Sequence, residues 1–337
     1  MRFALSEDQT ALRDAVRELL GRECPPAAVR AAWPGAEAAP ERVEAIWAKL
    51  AEMGVLGATV PERAGGLGLG ACDAVPLLEE AGRVALPLPI VETAFVAAPA
   101  LAEAGDPGGL LEGLVAGETL VAASLDGSGL VPFAGCAGAL LLGAGPGGEI
   151  RLAGPEAAAP ARSIDGARAL GRVADREAGS PLGLSPAAQA AAWDRGALGT
   201  AAQLIGLSRA LLAMSTEYVQ ERRQFGVPIG TFQAVKHHLA DALLGLEFAA
   251  PAVLRAAWSL DRGAATASRD VAMAKSLAGD AAERVAGTAL QVHGAIAYTT
   301  EYDLHLFAKR TWASVRSWGD PEWQRSRVAA TLGLGEE

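Results

Sequence analysis

Three long runs of helical periodicity, over residues 187–223, 231–262 and 270–292, constrain this chain more than any other feature of it. Apolar positions recur in them at three- and four-residue spacing, so each run carries an apolar face that has to be buried. Helices of this length bury such faces as an antiparallel bundle. Pro251 falls inside the second run and predicts a kink there. A last helix is expected to start at Thr300, with Asp303 completing its cap.

The first part of the chain is helical in pattern as well. Ser6 and Gln9 have capping-box spacing, and Leu12, Ala15, Val16, Leu19 and Leu20 follow as one stripe. A second stripe, Val43, Ile46, Trp47, Leu50 and Met53, stops at Gly54. Two more helical patterns cover 73–83 and 90–104. Composition then changes, and 118–125, 139–143 and 149–153 are short apolar runs bounded by Gly, Pro and Ser. They read as strands with tight turns. The expected fold is mainly α with a small central β domain: an N-terminal helical domain over 1–117, a reduced middle β domain over 118–186 and a C-terminal helical bundle over 187–337.

Hydrophobic residues make up 51% of the 337 positions, enough for a large core, while only 5% are aromatic, which favours close alanine-rich helix packing. A net charge of −10 argues against nucleic acid, whose affinity rests on cations that neutralise phosphates. It leaves room for one anionic small molecule in a locally basic pocket. Cys24, Cys72 and Cys136 make neither a disulfide framework nor a metal set, so no metal is expected and a reducing cytoplasm is. The opening MRFALSEDQT turns acidic at once, and no secretory leader is expected. The most apolar region, 84–102, is broken by Pro87, Pro89, Glu92 and Pro99, so no membrane span is expected either. The run from Gly65 to Gly70 misses the GxGxxG spacing, since Ala71 stands at the last glycine, and it reads as a structural loop.

The stretch RRQFGVPIGTFQAVKHHLADA, residues 222–242, sits between two of the long helices. Arg222 and Gln224 are hydrogen-bond donors, Phe225 is a flat apolar surface, and Gly226 lets backbone approach closely. Cations at a helix end also complement its dipole, which is the plainer reading of Arg222 and Arg223. This stretch resembles the turn after the first long C-terminal helix of the acyl-CoA dehydrogenase family. QVHGAIAYTTEYDLHLFAKR, residues 291–310, resembles that family's QxxGGxGF-x-EY segment, and LGATVPERAGGLGLGACDAVPLLEEAG resembles its N-terminal loop and helix. The three segments occur in the family's order and cover nearly the whole chain.

The resemblance implies FAD as cofactor and α,β-dehydrogenation of an acyl-CoA thioester, with electrons passed to an electron-transfer acceptor. It implies that Arg222, Gln224, Phe225, Gln291, His293 and Gly294 hold the adenosine half of a flavin seated mainly in a neighbouring subunit. His293 reads equally well as a packed loop histidine, and His237 and His238 as surface or interface residues. Two departures are plain. The family's usual catalytic glutamate falls, without gaps, on Gly319, beside Trp318; a one-residue slip brings in Asp320, shorter by a methylene. A displacement of about 1 Å can cost on the order of 100-fold in rate. The alternative base position, on the first long C-terminal helix, is Gly196 in Trp193-Asp194-Arg195-Gly196-Ala197. The family's flavin-ring segment is represented only by Ser124-Leu125-Asp126-Gly127-Ser128. Short, base-less chains of this kind resemble the second subunit of α2β2 acyl-CoA dehydrogenases acting on steroid side chains or other bulky acyl-CoAs. A longer homologous subunit is the expected partner. The other readings are a self-sufficient dehydrogenase with Asp320 as base, and a flavin-free acyl-CoA-binding or assembly protein.

Overall fold

The computed structural model describes residues 3–34 and 41–334. Helix α1 (Glu7–Glu23) opens on the expected capping box: the Ser6 hydroxyl accepts from the Gln9 N–H at 3.1 Å, and the Gln9 side chain accepts from the Ser6 N–H at 2.9 Å. Its stripe is buried at Val16, Leu19 and Leu20, while Ala15 is exposed. After α2 (Pro26–Ala31), α3 (Glu41–Glu52) buries Ile46, Trp47 and Leu50. Next come α4 (Ala71–Arg83), a π-helical segment Val91–Ala97 that continues as α5 (Ala98–Glu103), and α6 (Leu111–Val115).

The β block then begins with β1 (Val121–Ser124), β2 (Leu130–Val131), β3 (Ala139–Leu142) and β4 (Arg151–Ala153). It ends with β5 (Ala158–Pro160), β6 (Gly171–Val173) and β7 (Ser180–Pro181). One sheet has the order β1-β3-β4-β7 and the other β2-β6-β5; β1 and β3 run parallel, and the other pairs antiparallel. Burial on both faces explains why Val121 to Ala123 of β1 and all of β3 are apolar. Val121, Ala123 and Leu141 join the core of the helices, whereas Ala122, Leu140 and Leu142 point into a second cluster with Val131, Phe133 and Val173.

Side-chain bonds tie this block to the helices. The Thr93 hydroxyl donates to Val121 O at 2.8 Å, and buried Arg310 reaches Asp165 with its Nε and Leu86 O with its Nη1 at 2.6 Å.

The bundle consists of α7 (Pro186–Glu221), a hairpin of β8 (Arg223–Gln224) and β9 (Val227–Pro228), α8 (Gln233–Asp261), α9 (Ala267–His293), α10 (Leu304–Arg316) and α11 (Pro321–Thr331). Helix α8 runs through Pro251 without breaking. Helix α7 is long and apolar enough to cross a membrane by length and composition alone, yet 72% of that apolar window is buried; the helix packs on α4, α8 and α9.

Two expectations need correction. The helix assigned to Thr300 starts at Leu304, and the Asp303 side chain makes no cap bond. Arg30 is the cause: it donates to Thr300 O at 2.6 Å and pairs with the Asp303 carboxylate, holding 300–303 in a turn. Nor is that helix the last, because α11 follows it.

Candidate functional site

Arg222 leaves α7 in an extended conformation, its N–H still donating to Tyr218 O at 2.8 Å. Strands β8 and β9 pair Arg223 with Pro228 and Gln224 with Val227, leaving Phe225 and Gly226 as a two-residue turn. Both have positive φ, 54° and 82°, as a type I′ hairpin requires. For a phenylalanine that backbone costs about 1–2 kcal/mol. Phe225 is 93% exposed, with the edge of Phe232 at 6.1 Å between ring centroids, so burial does little to offset the cost. Among the described residues, neither the Arg222 nor the Arg223 guanidinium has an ion-pair or hydrogen-bond partner, and Gln224 donates back to Arg223 O at 2.7 Å. The hairpin therefore offers two guanidiniums and an aromatic face to whatever lies outside it.

Gln291, His293 and Gly294 end α9. Gln291 is exposed, and Gly294 closes the helix with its N–H on Leu290 O. His293 turns inward. Its ring stacks on Tyr218 at 4.3 Å, Nδ1 lies 2.7 Å from Ala289 O, and Nε2 lies 3.3 Å from the Tyr302 hydroxyl. Burial lowers its pKa, so the imidazole is neutral at neutral pH. The Tyr218 hydroxyl donates to His293 O at 3.3 Å, which binds the last turn of α7 to the end of α9. The structure thus brings the two sequence motifs side by side, with His293 as a brace rather than an outward donor. Tyr218 was not singled out from the sequence; its place four residues before Arg222, on the same helix face, was the available signal.

The positions at which a base is expected hold none. Gly196 lies on α7 against the Trp318 ring, where an added Cβ would come within 2.4 Å of Cε3. Gly319 has φ 80°, and a Cβ there would meet the Trp323 ring at 2.4 Å. Trp193, Trp318 and Trp323 cluster over this spot, with Trp193 centroids 5.7 Å and 5.3 Å from the other two. Buried Lys275 secures the loop by donating to Val315 O at 2.9 Å and to Gly319 O at 3.0 Å. Asp320 caps α11, accepting from the Trp323 N–H at 2.9 Å, and sits 3.5 Å from Arg316. Asp-Pro at a helix start is strong N-cap and N1 chemistry.

Ser124 ends β1, and Leu125 to Ser128 follow it. Asp126 accepts from the Ser128 N–H at 2.8 Å and the Ser124 hydroxyl at 3.2 Å, and the segment lines a cleft of about 370 Å³ shared with Ser317 and Trp318. His237 and His238 are exposed on α8. Among the described residues, no three His, Cys, Asp or Glu side chains gather as a metal set would.

Residues 6–108 match the acyl-CoA dehydrogenase N-terminal domain, and residues 184–333 match the acyl-CoA dehydrogenase C-terminal domain. The acyl-CoA dehydrogenase IpdE2 of Mycobacterium tuberculosis is 33% identical, over 92% of this chain and 92% of the relative.

The chain belongs to the acyl-CoA dehydrogenase family.

Acyl-CoA dehydrogenases are oxidoreductases with FAD as cofactor. Among solved members, the Tcur3481–Tcur3483 steroid acyl-CoA dehydrogenase superposes with a TM-score of 0.83 at 26% identity, covering 97% of this chain and 98% of that one. A chain of the ChsE4–ChsE5 complex from Mycobacterium tuberculosis gives a TM-score of 0.84 at 24% identity, with both chains fully covered, and shows the same fold. The adenosine half of the cofactor fits the residues of the hairpin: unpaired guanidiniums for a pyrophosphate and an open aromatic face for an adenine. The wall of tryptophans at Gly196 and Gly319 fits no catalytic carboxylate.

Proposed function

We propose that this chain is a subunit of a heteromeric FAD-dependent acyl-CoA dehydrogenase, lending its hairpin to a flavin seated in a longer homologous chain that carries the base. The observation that carries the reading is Phe225, a large aromatic held in a costly left-handed backbone and left 93% exposed. Strain of this kind marks sites built for contact with something else. Bound flavin supplies the hydride acceptor for an acyl-CoA oxidised between its α- and β-carbons. Arg222 and Gln224 donate to the pyrophosphate, and Phe225 covers the adenine face. Gln291 and Gly294 complete the edge of the clasp, while Tyr218 and His293 hold the two segments in register.

The chain's own base positions contribute no proton acceptor, and Asp320 serves α11. Two further observations favour a heteromer. The solved relatives Tcur3481–Tcur3483 and ChsE4–ChsE5 each bear two chain names, and the first is a steroid enzyme. On that reading the substrate is a bulky alicyclic acyl-CoA, and an electron-transfer protein takes up the reducing equivalents. The three domains at 1–117, 118–186 and 187–337 belong to the same proposal, the first and last providing scaffold and interface.

The test is flavin content. Purified alone, the chain should hold far less than one FAD per molecule; co-expressed with a longer acyl-CoA dehydrogenase chain from the same organism, it should form a complex with stoichiometric flavin. A fully flavinylated, active homomer would show the reading to be wrong.

A further inference from the structure

Residues 294–303 cross from α9 to α10 as a strap with few fixings of its own. The strap begins as a short 3-10 turn, Gly294–Tyr298, and Thr299 folds back on it, its N–H and hydroxyl both donating to Ile296 O, at 3.1 Å and 2.9 Å. Ala297 is buried, Tyr302 and Asp303 are half-buried, and the other residues of the strap are exposed. Its side-chain anchors to the rest of the fold are Tyr302 on His293, and Arg30 on Thr300 O and the Asp303 carboxylate. Each anchor leans on a buried histidine, one at either end of the strap. We propose that 294–303 is an acid-released strap, docked by neutral His293 and His305 and freed when these side chains take up protons, so that the Gln291–Gly294 edge of the clasp comes away with it.

The hydrogen bonds fix the tautomer of His293. Ala289 O can only accept, so Nδ1, 2.7 Å from it, carries the hydrogen. Nε2 is then bare and accepts from the Tyr302 hydroxyl at 3.3 Å. A proton added at Nε2 would remove that acceptor. The ring is stacked on Tyr218 of α7, and among the described residues no carboxylate lies within ion-pair distance of it. The acids nearby press on Tyr302 instead. Burial first, then Glu217, Tyr218, Asp303 and Glu221, pushes its hydroxyl up, which keeps it a donor.

His305 lies in the first turn of α10, edge-on to Trp33 at 5.4 Å between ring centroids. Among the described residues neither of its ring nitrogens has a hydrogen-bond partner. Trp33 follows α2, which carries the anchor Arg30, and its ring already holds the Lys309 ammonium 4.8 Å from its centroid. Burial lowers the His305 pKa and Lys309 and Arg30 add to the fall, against the Thr300 carbonyl and Asp303. A further cation here has to reach water.

In water an imidazole takes its proton near pH 6.5. Both histidines are held below that value in the docked state, so the released strap binds more protons. Docking is therefore complete above about pH 6.5 and weakens as pH falls, by about tenfold per pH unit for each histidine set free.

Hydrogen–deuterium exchange of the purified full chain, corrected for the intrinsic pH dependence of amide exchange, tests the proposal. Between about pH 6.5 and 5.5, opening of peptides across 294–303 should rise by about ten- to a hundredfold, while α8 stays unchanged. His293→Gln supplies a donor and an acceptor that do not titrate, and His305→Phe keeps a ring against Trp33; the double variant should open independently of pH. In magnetic resonance spectra of the ring-labelled wild type, the signals assigned to His293 and His305 should titrate below about pH 6.5, a measurement that stands even if a variant fails to fold. Flat opening in the wild type, a pH dependence that survives in the double variant, histidine signals titrating at or above that value, or opening spread evenly through α8 overturns the proposal. The consequence for the clasp rests on the proposed role of the hairpin. Flavin release by the assembled enzyme should quicken over the same pH range in the wild type and not in the double variant, and equal rates would overturn that link. Exchange is read without flavin, so the strap and the hairpin's cofactor role can fail separately.

Discussion

A Cβ atom on Gly196 would lie 2.4 Å from the Trp318 ring, so the expected base position on the helix is filled by the residue that precedes the expected base position on the loop. Trp318 is 4% exposed and leans on Trp193, itself buried. The aromatic side chain occupies the room a glutamate needs.

That contact should be visible as energetic coupling. Gly196→Ala forces the ring aside and should cost about 1–3 kcal/mol, and Trp318→Ala, by emptying a packed site, about 3–5 kcal/mol. The double variant should be more stable than the sum of the two losses by roughly 0.5–3 kcal/mol, because the smaller residue at 318 admits the methyl group. Urea unfolding of the four proteins measures this. Strict additivity would mean that the two residues do not meet.

Lys275 gives the loop a pH signature. Burial lowers its pKa to about 7, with the charge of Asp320 opposing the shift. The unfolded chain keeps this amine protonated up to about pH 10.4. Between about pH 7 and 10 the unfolded state therefore holds the extra proton, and stability should rise with pH across that window. One proton corresponds to about 1.4 kcal/mol per pH unit. Lys275→Met should lose the Val315 and Gly319 contacts and should also lack this rise relative to wild type. A parallel pH profile for the two proteins would refute the assignment.

Phe225→Gly separates fold from function. Glycine relieves the left-handed backbone, so the melting temperature should hold or increase, the gain being up to about 1–2 kcal/mol. Flavin retention by the assembled enzyme should fall, as it should for Arg222→Ala, whose charge-assisted contact is worth roughly 1.5–3 kcal/mol. Flavin release rates and thermal melts together check the opposite signs. Unchanged retention in both variants would remove the hairpin from the cofactor site.

The order of helices, strands and helices was legible because long periodic runs and a Gly- and Pro-rich middle leave little choice. The hairpin was legible too, since its residue types state their chemistry in a row. The two- and three-residue strands β2, β5, β6 and β7 are too short to show alternation. Thr300 misled because Arg30, 270 residues away in sequence, holds its carbonyl. Helix α11 has a signal in Asp320-Pro321, a cap followed by an N1 proline, although no helix is expected there from the sequence pattern. Lys275 left no trace in the sequence: both of its partners are backbone carbonyls, which any residue supplies. The meeting of Gly196 with Trp318 is likewise a product of packing between α7 and a distant loop.

Turnover by the Asp320→Asn enzyme, assembled with its longer partner, tests the account most directly. Asparagine caps a helix as well as aspartate does, so α11 and the flavin content should be preserved. The proposed function puts the working carboxylate on the partner and so predicts a rate within a few-fold of wild type. A complex that keeps its flavin but loses turnover would place the base on this chain and contradict the account.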